Sequence, residues 1–371
     1  MKKIGIDARF YSFSCTGVGR HVYELIQGLA KLDTKNQYTV FLDSKFYNYF
    51  KPPAQNFYSV KASSPIYSLS EQTKFLLQLN QYDFDLMVFP QFNAPVLYNK
   101  PYVVTIHDLT LHFYSGRQRT SFISKLAYRL IMQIVTWKAK TCFAVSQHTK
   151  KDMTKILGIP SSKVVVTYNG VTDRFKKIND QALLKSVQEK YSLGEKYFLY
   201  SGARKAHKNI IGMIKGFATF LETSSVEYQL ALTGPKGGMD REIKKEILDL
   251  GLEGKIKILG LVSEEELLFL MNGSRAYVFP SFYEGFGLPP LEAMQCEVPV
   301  ICSNASCLPE VCGEAVEYFN PSSIEEMAKA MKIVAFDEKR RNQLIEKGRF
   351  QCRKFSWDTM CEQMFSKYGV G

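Results

Sequence analysis

The chain has 371 residues, of which 46% are hydrophobic and 23% are charged, and its net charge is +12. This length exceeds one ordinary core and predicts two domains of roughly 150–200 residues each, while the ordinary composition excludes a small fold that depends on disulfides or metal ions. No stretch approaches the ~20 apolar residues of a membrane-spanning helix, and the start MKKIGIDARF lacks the features of a secretory leader, so we expect a cytoplasmic protein.

The first half alternates short apolar strands with helices. The strands are predicted at 3–7, 38–42, 86–90, 102–106, 141–145 and 164–168. A helix is predicted from Gly17 to about Lys31, and a long amphipathic helix over 121–138. The apolar side of the long helix carries Phe122, Leu126, Leu130, Ile134 and Trp137. Such alternation predicts a parallel sheet covered by helices.

The second half repeats this scheme. Its strands are predicted at 197–201, 228–233, 256–260, 276–280 and 298–303, with helices such as 241–250 and 264–271 between them. The polar segment 176–196 is interpreted as a linker. The fold class is therefore α/β, with two Rossmann-like parallel-sheet domains facing a central cleft, where the carboxyl ends of strands bind ligands.

We assign residues 1–175 to an N-terminal domain and 176–354 to a C-terminal domain. Residues 355–371 form an amphipathic C-terminal segment. The eight cysteines include no Cys-x-x-Cys pair, and the spacing of Cys302, Cys307 and Cys312 does not match the usual zinc ligands. We expect reduced, buried thiols and no metal.

The positive charge lies entirely in the first half. Residues 1–175 hold 22 basic and 10 acidic residues, whereas residues 176–371 hold 26 of each. Between Leu109 and Lys151 there is no acidic residue. The basic residues of this stretch are Arg117, Arg119, Lys125, Arg129, Lys138, Lys140, Lys150 and Lys151. The basic region 117–151 has the pattern of a surface that binds anionic lipid, and an ordinary packed helix with a solvated cationic face remains the alternative.

The most specific string is EGFGLPPLE, from Glu284 to Glu292. A predicted strand ends just before it, a glycine-rich turn follows, and Pro289 and Pro290 suit the first turn of a helix. The helix start and the amides of the turn favour an anion or a sugar. The two glutamates can accept hydrogen bonds from hydroxyl groups. A plain strand-loop-helix turn is the alternative.

This string resembles the E-x7-E motif of family 4 retaining glycosyltransferases, which have the GT-B fold. The resemblance extends over nearly the whole chain. It includes the opening strand and glycine loop up to Arg20, the segment TIHDL at 105–109, Val145-Ser146, Asn169-Gly170-Val171, the segment 202–209 and Leu308-Pro309-Glu310. The O-antigen mannosyltransferase-like branch is the most similar one.

The resemblance implies a role for each matching position. Glu284 would bind hydroxyls of the donor sugar, Glu292 would bind the ribose, and Lys208 would neutralise the leaving diphosphate. His107 would contact the donor sugar, so His107 and Glu284 are the catalytic candidates. The remaining donor contacts would come from Gly17, Gly19, Gly285, Phe286, Gly287 and Leu288. The family arginine after Gly202 is replaced by Ala203, and Arg204 is the candidate substitute.

Residue chemistry supports part of this assignment. Cleaving a sugar from a diphosphate places negative charge on the leaving group, which a prearranged cation such as Lys208 stabilises. His107 follows a buried strand and stands beside Asp108, which could orient it or cap the next turn. The Gly17-Val-Gly19 loop could instead be a dinucleotide fingerprint, but Val22 occupies the third glycine position and the loop does not follow its strand directly.

We therefore expect a retaining, metal-independent hexosyltransferase that uses no cofactor beyond its nucleotide-sugar co-substrate. The branch resemblance implies GDP-mannose as the donor and a lipid-linked or polysaccharide acceptor. Three alternatives stay open: a non-catalytic GT-B binding protein, a nucleotide-sugar epimerase of the same fold, and a nucleic-acid-binding protein. No nucleic-acid motif supports the last, so we expect no such partner. We expect the protein on the inner face of the cytoplasmic membrane.

Overall fold

The computed structural model describes residues 1–11, 17–114 and 122–369, with the backbone alone at 122–125. The predictions that concern Cys15, Arg117, Arg119, Ser121 and the side chains of Phe122 and Lys125 fall outside the described residues. The chain divides into two compact units. The first comprises Met1–His112, Ser121–Gly170 and Ser356–Gly371, and the second comprises Phe113–Thr120 and Val171–Phe355.

Each unit is built on one parallel sheet. In the first unit the strands are β1 (Lys3–Ala8), β2 (Gln37–Leu42), β3 (Phe57–Lys61), β4 (Leu86–Phe89), β5 (Tyr102–Ile106), β6 (Thr141–Ala144) and β7 (Val164–Val166). In the second unit they are β8 (Tyr197–Ser201), β9 (Gln229–Thr233), β10 (Ile256–Gly260), β11 (Ala276–Phe279), β12 (Val300–Ser303) and β13 (Val316–Phe319).

Fifteen α-helices are described. They are α1 (Gly17–Leu32), α2 (Ser44–Tyr47), α3 (Leu76–Asn80), α4 (Thr110–Phe113), α5 (Phe122–Lys138), α6 (Gln147–Leu157), α7 (Gln181–Lys190), α8 (Ile210–Glu222), α9 (Asp240–Asp249), α10 (Glu264–Gly273), α11 (Leu288–Gln295), α12 (Leu308–Cys312), α13 (Ile324–Phe336), α14 (Glu338–Cys352) and α15 (Trp357–Tyr368). A π-helix at Glu71–Phe75 precedes α3, and 3-10 turns lie at Ser161–Lys163 and Ala206–Lys208.

The two sheets have equivalent strand orders. The first runs β3-β2-β1-β4-β5-β6-β7 and the second runs β10-β9-β8-β11-β12-β13. In each, the chain reverses direction across the sheet, at β1/β4 and at β8/β11. Open parallel sheets bind ligands at the carboxyl ends of the strands beside such a reversal. The predicted pair of Rossmann-like domains is confirmed.

Local sequence signals explain the element boundaries. Ser263 and Glu266 form a reciprocal capping box at the start of α10, and the Ser146 side chain accepts a hydrogen bond from the Thr149 amide at the start of α6. Helix α6 ends at Gly158, whose φ of 66° suits a residue without a Cβ atom. The central strands are buried apolar runs, as is usual for parallel sheets.

Three elements differ from the prediction. Strands β3 and β13 lie at sheet edges, where half-exposed residues weaken the apolar pattern that marks a buried strand. The segment interpreted as a linker carries helix α7, which Asp180 caps and which buries Leu184 and Val187. Because only two apolar residues of α7 are buried, the segment lacks the apolar periodicity that predicts a helix.

Helix α15 packs against α1 within the first unit. A Cβ atom added to Gly28 on α1 would lie 2.2 Å from the Cys361 sulfur on α15, so the two backbones approach closely. Lys31 Nζ also lies 3.2 Å from the Asp358 carboxylate. Across the described ranges, no helix has the length and apolar character needed to cross a membrane.

Candidate active site

Lys208 and Glu284 form an ion pair at the chain reversal of the second sheet. Lys208 ends the 3-10 turn after β8, and Glu284 lies in the loop after β11. The Lys208 Nζ lies 2.6 and 2.9 Å from the two carboxylate oxygens of Glu284. The side chains are 19% and 12% exposed, respectively. The Phe282 amide donates to the His207 carbonyl at 2.8 Å, which joins the two loops.

The loop that follows Glu284 is shaped by one glycine. Gly287 has φ 90° and caps α11, and a Cβ atom there would lie 2.9 Å from the Leu308 side chain. Pro289 and Pro290 occupy the first turn of α11, as predicted. The structure therefore places a helix N-terminus at the end of this loop, where a partial positive charge favours anions.

A buried thiol holds this loop in place. The single S–H of Cys307 is shared between the carbonyl oxygens of Glu284 and Phe286, each 3.3 Å from the sulfur. The Ser306 hydroxyl accepts from the Glu284 amide at 3.0 Å. Burial raises the pKa of the Cys307 thiol well above its usual value, so it stays protonated. Cys302, Cys307 and Cys312 are fully buried free thiols, and no group able to hold a metal is found among the described residues.

The other donor candidates of the second unit have distinct surroundings. Glu292 is half-buried on α11, in the turn after Gly287. Arg204 is buried, and its Nε lies 2.6 Å from Asp240 Oδ1 while its Nη1 donates to the Gly234 carbonyl at 3.2 Å. The Arg204 hydrogen bond lowers the pKa of Asp240. The positive charge of Arg204 is thus paired with Asp240 within the second unit.

In the first unit, His107 lies at the carboxyl end of β5. Its Nε2 lies 2.8 Å from the Pro90 carbonyl oxygen. Because a carbonyl can only accept, Nε2 carries the hydrogen and Nδ1 presents a lone pair. Burial lowers the pKa of His107, which favours this neutral form. The Asp108 Oδ1 accepts from the Thr110 amide at 2.8 Å, so that carboxylate caps the next turn.

His21 contacts His107, a pairing that no pattern in the sequence predicts. The His21 ring meets the His107 ring edge-on, with centroids 4.7 Å apart, and its Nδ1 lies 2.9 Å from Asn169 Oδ1. Burial, with a smaller effect from His107, lowers the pKa of His21 to about 3. Gly17 and Gly19 occupy the first turn of the same helix, α1. A single sequence carries no signal that joins His21 to a residue 86 positions away.

A buried ionic network at the end of β1 was also not predicted. Arg9 donates to both carboxylate oxygens of Asp7, at 2.8 and 2.7 Å, and to Glu71 at 3.2 Å. Its guanidinium stacks on Phe75, 3.9 Å from the ring centre. All three charged side chains are at least nine-tenths buried, and the net charge of the cluster is negative when both carboxylates are ionised.

The sequence matches two family models. Residues 184–351 match the glycosyl transferases group 1, and residues 15–175 match glycosyltransferase family 4. A similar protein is the O-antigen chain mannosyltransferase B of Escherichia coli, which is 28% identical over 376 residues covering 96% of each chain.

Solved structures share the fold over nearly the whole chain. Sucrose-phosphate synthase from Thermosynechococcus elongatus has a TM-score of 0.80 and 18% identity, with 99% of this chain and 98% of that chain covered. The Anabaena protein HepE, solved in complex with UDP-glucose, has a TM-score of 0.78 and 17% identity, with 99% of both chains covered. These likenesses confirm the GT-B fold.

Proposed function

The chain belongs to glycosyltransferase family 4, and on that premise we propose that it transfers a mannosyl group from GDP-mannose to a lipid-linked or polysaccharide acceptor. The reaction retains the anomeric configuration and needs no metal. The relative from Escherichia coli named as an O-antigen chain mannosyltransferase supports the sugar and the pathway class. The acceptor is accordingly a cell-surface glycan of the O-antigen type.

The observation that carries the proposal is the Lys208–Glu284 pair at the end of the second sheet. Departure of the nucleotide leaves a diphosphate with at least two negative charges, and a fixed cation stabilises that charge as it develops. Lys208 supplies this cation, and the start of α11 adds its partial positive charge. Glu284 accepts hydrogen bonds from sugar hydroxyls, and Glu292 accepts them from the ribose.

The remaining assigned contacts rest on the family resemblance. The backbone of Gly285, Phe286, Gly287 and Leu288 binds the sugar and the diphosphate. Gly17, Gly19 and His107 are proposed as donor contacts of the first unit. Arg204 and Lys208 are each paired with a carboxylate, but the Lys208 side chain is 19% exposed and the Arg204 side chain only 3%, so we assign the main charge neutralisation to Lys208.

Attachment to an anionic membrane surface is part of the proposal. The predicted apolar side of α5 is uncovered: Leu126, Leu130, Ile134 and Trp137 are between 39% and 51% exposed. Helix α5 packs in the core through Met132 and Val135, and the four exposed residues recur at helical spacing on another side of it. Trp137 Nε1 donates to the Leu157 carbonyl at 3.2 Å, which orients a half-exposed indole. The basic residues of this stretch attract anionic headgroups.

A vesicle-binding assay tests this attachment. The wild-type protein should sediment with vesicles containing anionic phospholipid and not with vesicles of phosphatidylcholine alone, with binding that weakens at high salt. Leu130→Asp should lose binding. Leu248→Asp changes an exposed leucine of the second unit and should bind as the wild type does. Equal binding by both variants would contradict the assignment.

A thermal-shift panel tests the donor site. The purified protein is heated with GDP, UDP, ADP and their common sugar conjugates. A ligand bound by the native state stabilises it by about 2.7 kcal/mol at a hundredfold excess over its dissociation constant. GDP and GDP-mannose should raise the melting temperature, and Lys208→Ala and Glu292→Ala should remove that shift. A folded protein that shows no shift with any nucleotide would support a non-catalytic binding protein instead.

A further inference from the structure

Tyr67 is an exposed aromatic residue in a strained backbone conformation. It lies between β3 and the π-helix and is 61% exposed. Its φ is 57°, a left-handed backbone conformation that residues other than glycine rarely adopt. Such strain persists only where the surrounding structure enforces it, and it concentrates at binding sites. The contacts that enforce the left-handed backbone of Tyr67 therefore indicate where a ligand could bind.

The buried ionic network enforces this conformation. The Tyr67 amide donates to Glu71 Oε2 at 3.1 Å, and the same carboxylate oxygen accepts from Arg9. Arg9 is fixed in turn by its two hydrogen bonds to Asp7. Glu71 begins the π-helix, an arrangement frequent at functional sites. Three buried charged side chains thus fix the backbone at Tyr67.

The ring of Tyr67 is flanked by aromatic and polar side chains. Phe10 and Phe92 lie 5.8 and 6.0 Å from it between ring centres. The Gln91 oxygen accepts from the Phe92 amide at 3.1 Å, which leaves the Gln91 NH₂ group for the Tyr67 hydroxyl. Although most of the residue is exposed, partial desolvation of the hydroxyl by its protein neighbours, and then the nearby Asp108 carboxylate, raise the pKa of Tyr67 to about 12, so it stays protonated.

These residues meet at the chain reversal of the first sheet. Phe10 follows β1, Gln91 follows β4 and Asp108 follows β5, so all three lie at the carboxyl ends of neighbouring strands. This is the edge at which open parallel sheets bind ligands. Asp108 uses Oδ1 to cap the next turn, and among the described residues no donor to its Oδ2 is found.

We propose that Tyr67 and Asp108 form a subsite for a neutral pyranose ring of the acceptor glycan. The apolar face of the sugar packs on the Tyr67 ring, and a sugar hydroxyl donates to Asp108 Oδ2. An exposed aromatic face beside a few polar groups is the usual composition of a small-ligand site. The Arg9 side chain is fully buried and paired with Asp7 and Glu71, so it presents no exposed cation to a phosphate group. The inference rests on the proposed function, since it assigns the acceptor to this edge.

The kinetic test titrates a mannose-terminated acceptor at saturating donor. Tyr67→Ala should raise the acceptor KM about tenfold, the value expected for losing ~1.4 kcal/mol of ring contact. Tyr67→Phe keeps the ring and should stay within about threefold of the wild type. Tyr58→Ala changes an exposed tyrosine at the amino end of β3 and should leave KM unchanged. An unchanged acceptor KM in Tyr67→Ala would overturn the proposal.

A binding measurement separates this proposal from the proposed function. Saturation-transfer NMR with α-linked mannotriose, in the absence of any nucleotide, reports acceptor binding even if the wild type transfers no sugar. The wild type and Tyr58→Ala should give equal signals, and at the same ligand concentration Tyr67→Ala should give a much weaker one, in line with a loss of affinity of about tenfold. Circular dichroism verifies that each variant is folded. Equal signals from wild type and Tyr67→Ala would refute the subsite, whatever the fate of the donor assignment.

Discussion

Breaking the Lys208–Glu284 pair should destabilise the second unit by an amount that the geometry predicts. Two charge-assisted hydrogen bonds join side chains that are only 19% and 12% exposed. Lys208→Ala leaves a largely buried carboxylate unpaired, and removing one partner of a fully buried pair costs 3–5 kcal/mol. Because solvent reaches both groups here, we expect about 2 kcal/mol for Lys208→Ala. Glu284→Ala leaves an unpaired ammonium group and should cost a similar amount.

A double-mutant cycle measures the interaction itself. The variant that lacks both side chains leaves neither charge unpaired, so its loss should fall short of the sum of the single losses by about 2 kcal/mol. Urea unfolding followed by far-UV circular dichroism gives the free energies of unfolding. Trp137 and Trp357 both lie in the first unit, so their fluorescence reports unfolding of that unit separately. A coupling below about 0.5 kcal/mol would refute the interpretation that the two side chains form a fixed pair.

Three further outcomes are expected. Gly170→Ala should cost at least about 2 kcal/mol in urea unfolding, because its Cβ would lie 2.1 Å from the Trp357 amide nitrogen; Gly254→Ala, where nothing lies within 4 Å, should be nearly neutral, and equal effects would contradict the packing argument. His107→Asn keeps a hydrogen-bond acceptor near the position of Nδ1, whereas His107→Gln keeps only the hydrogen-bond donor near the position of Nε2. The kcat/KM for the nucleotide sugar should therefore be at least about tenfold higher in His107→Asn than in His107→Gln. The reverse order would contradict the assigned tautomer. The pKa of His21 is lowered to about 3 in the folded state, so between pH 6.5 and 3 the unfolded state binds one more proton than the folded state. The free energy of unfolding should therefore fall as the pH falls through this range, by up to about 1.4 kcal/mol per pH unit. His21→Gln should show a shallower fall, and an unchanged dependence on pH would contradict the assignment of a neutral, buried His21.

Much of the fold could be predicted from apolar runs and capping residues. Strands β5, β8 and β10 have the predicted bounds. Strands β5 and β8 are continuous runs of mostly β-branched, aromatic or aliphatic residues, and β10 keeps aliphatic residues on both sides of Lys257. Strands β3 and β13 were missed because polar or exposed positions interrupt their short apolar runs. Their place at a sheet edge is not the whole reason, since β7 and β10 are edge strands that were predicted. Helix α7 was missed because its sequence is mostly polar and only Leu184 and Val187 are buried.

Only part of the candidate active site could be predicted from the sequence. The glycine and prolines of the Glu284 loop indicate a helix start, because glycine tolerates the left-handed conformation of the N-cap and the fixed φ of proline suits the first helical turn. The thiol that holds the loop, Cys307, and the pairing of Lys208 with Glu284 join residues far apart in the chain, and one sequence contains no signal for such contacts. Periodicity revealed the apolar side of α5 but could not tell whether another element covers it.

The central claim is that the chain transfers a sugar from a nucleotide donor at Lys208 and Glu284. Its most direct test follows GDP-mannose and a mannose-terminated acceptor by proton NMR. We predict release of GDP, formation of a new α-linked mannoside and a fall of at least about a hundredfold in kcat/KM for Glu284→Ala. A well-folded protein that consumes no nucleotide sugar with any acceptor offered, or equal turnover by Glu284→Ala, would contradict the claim.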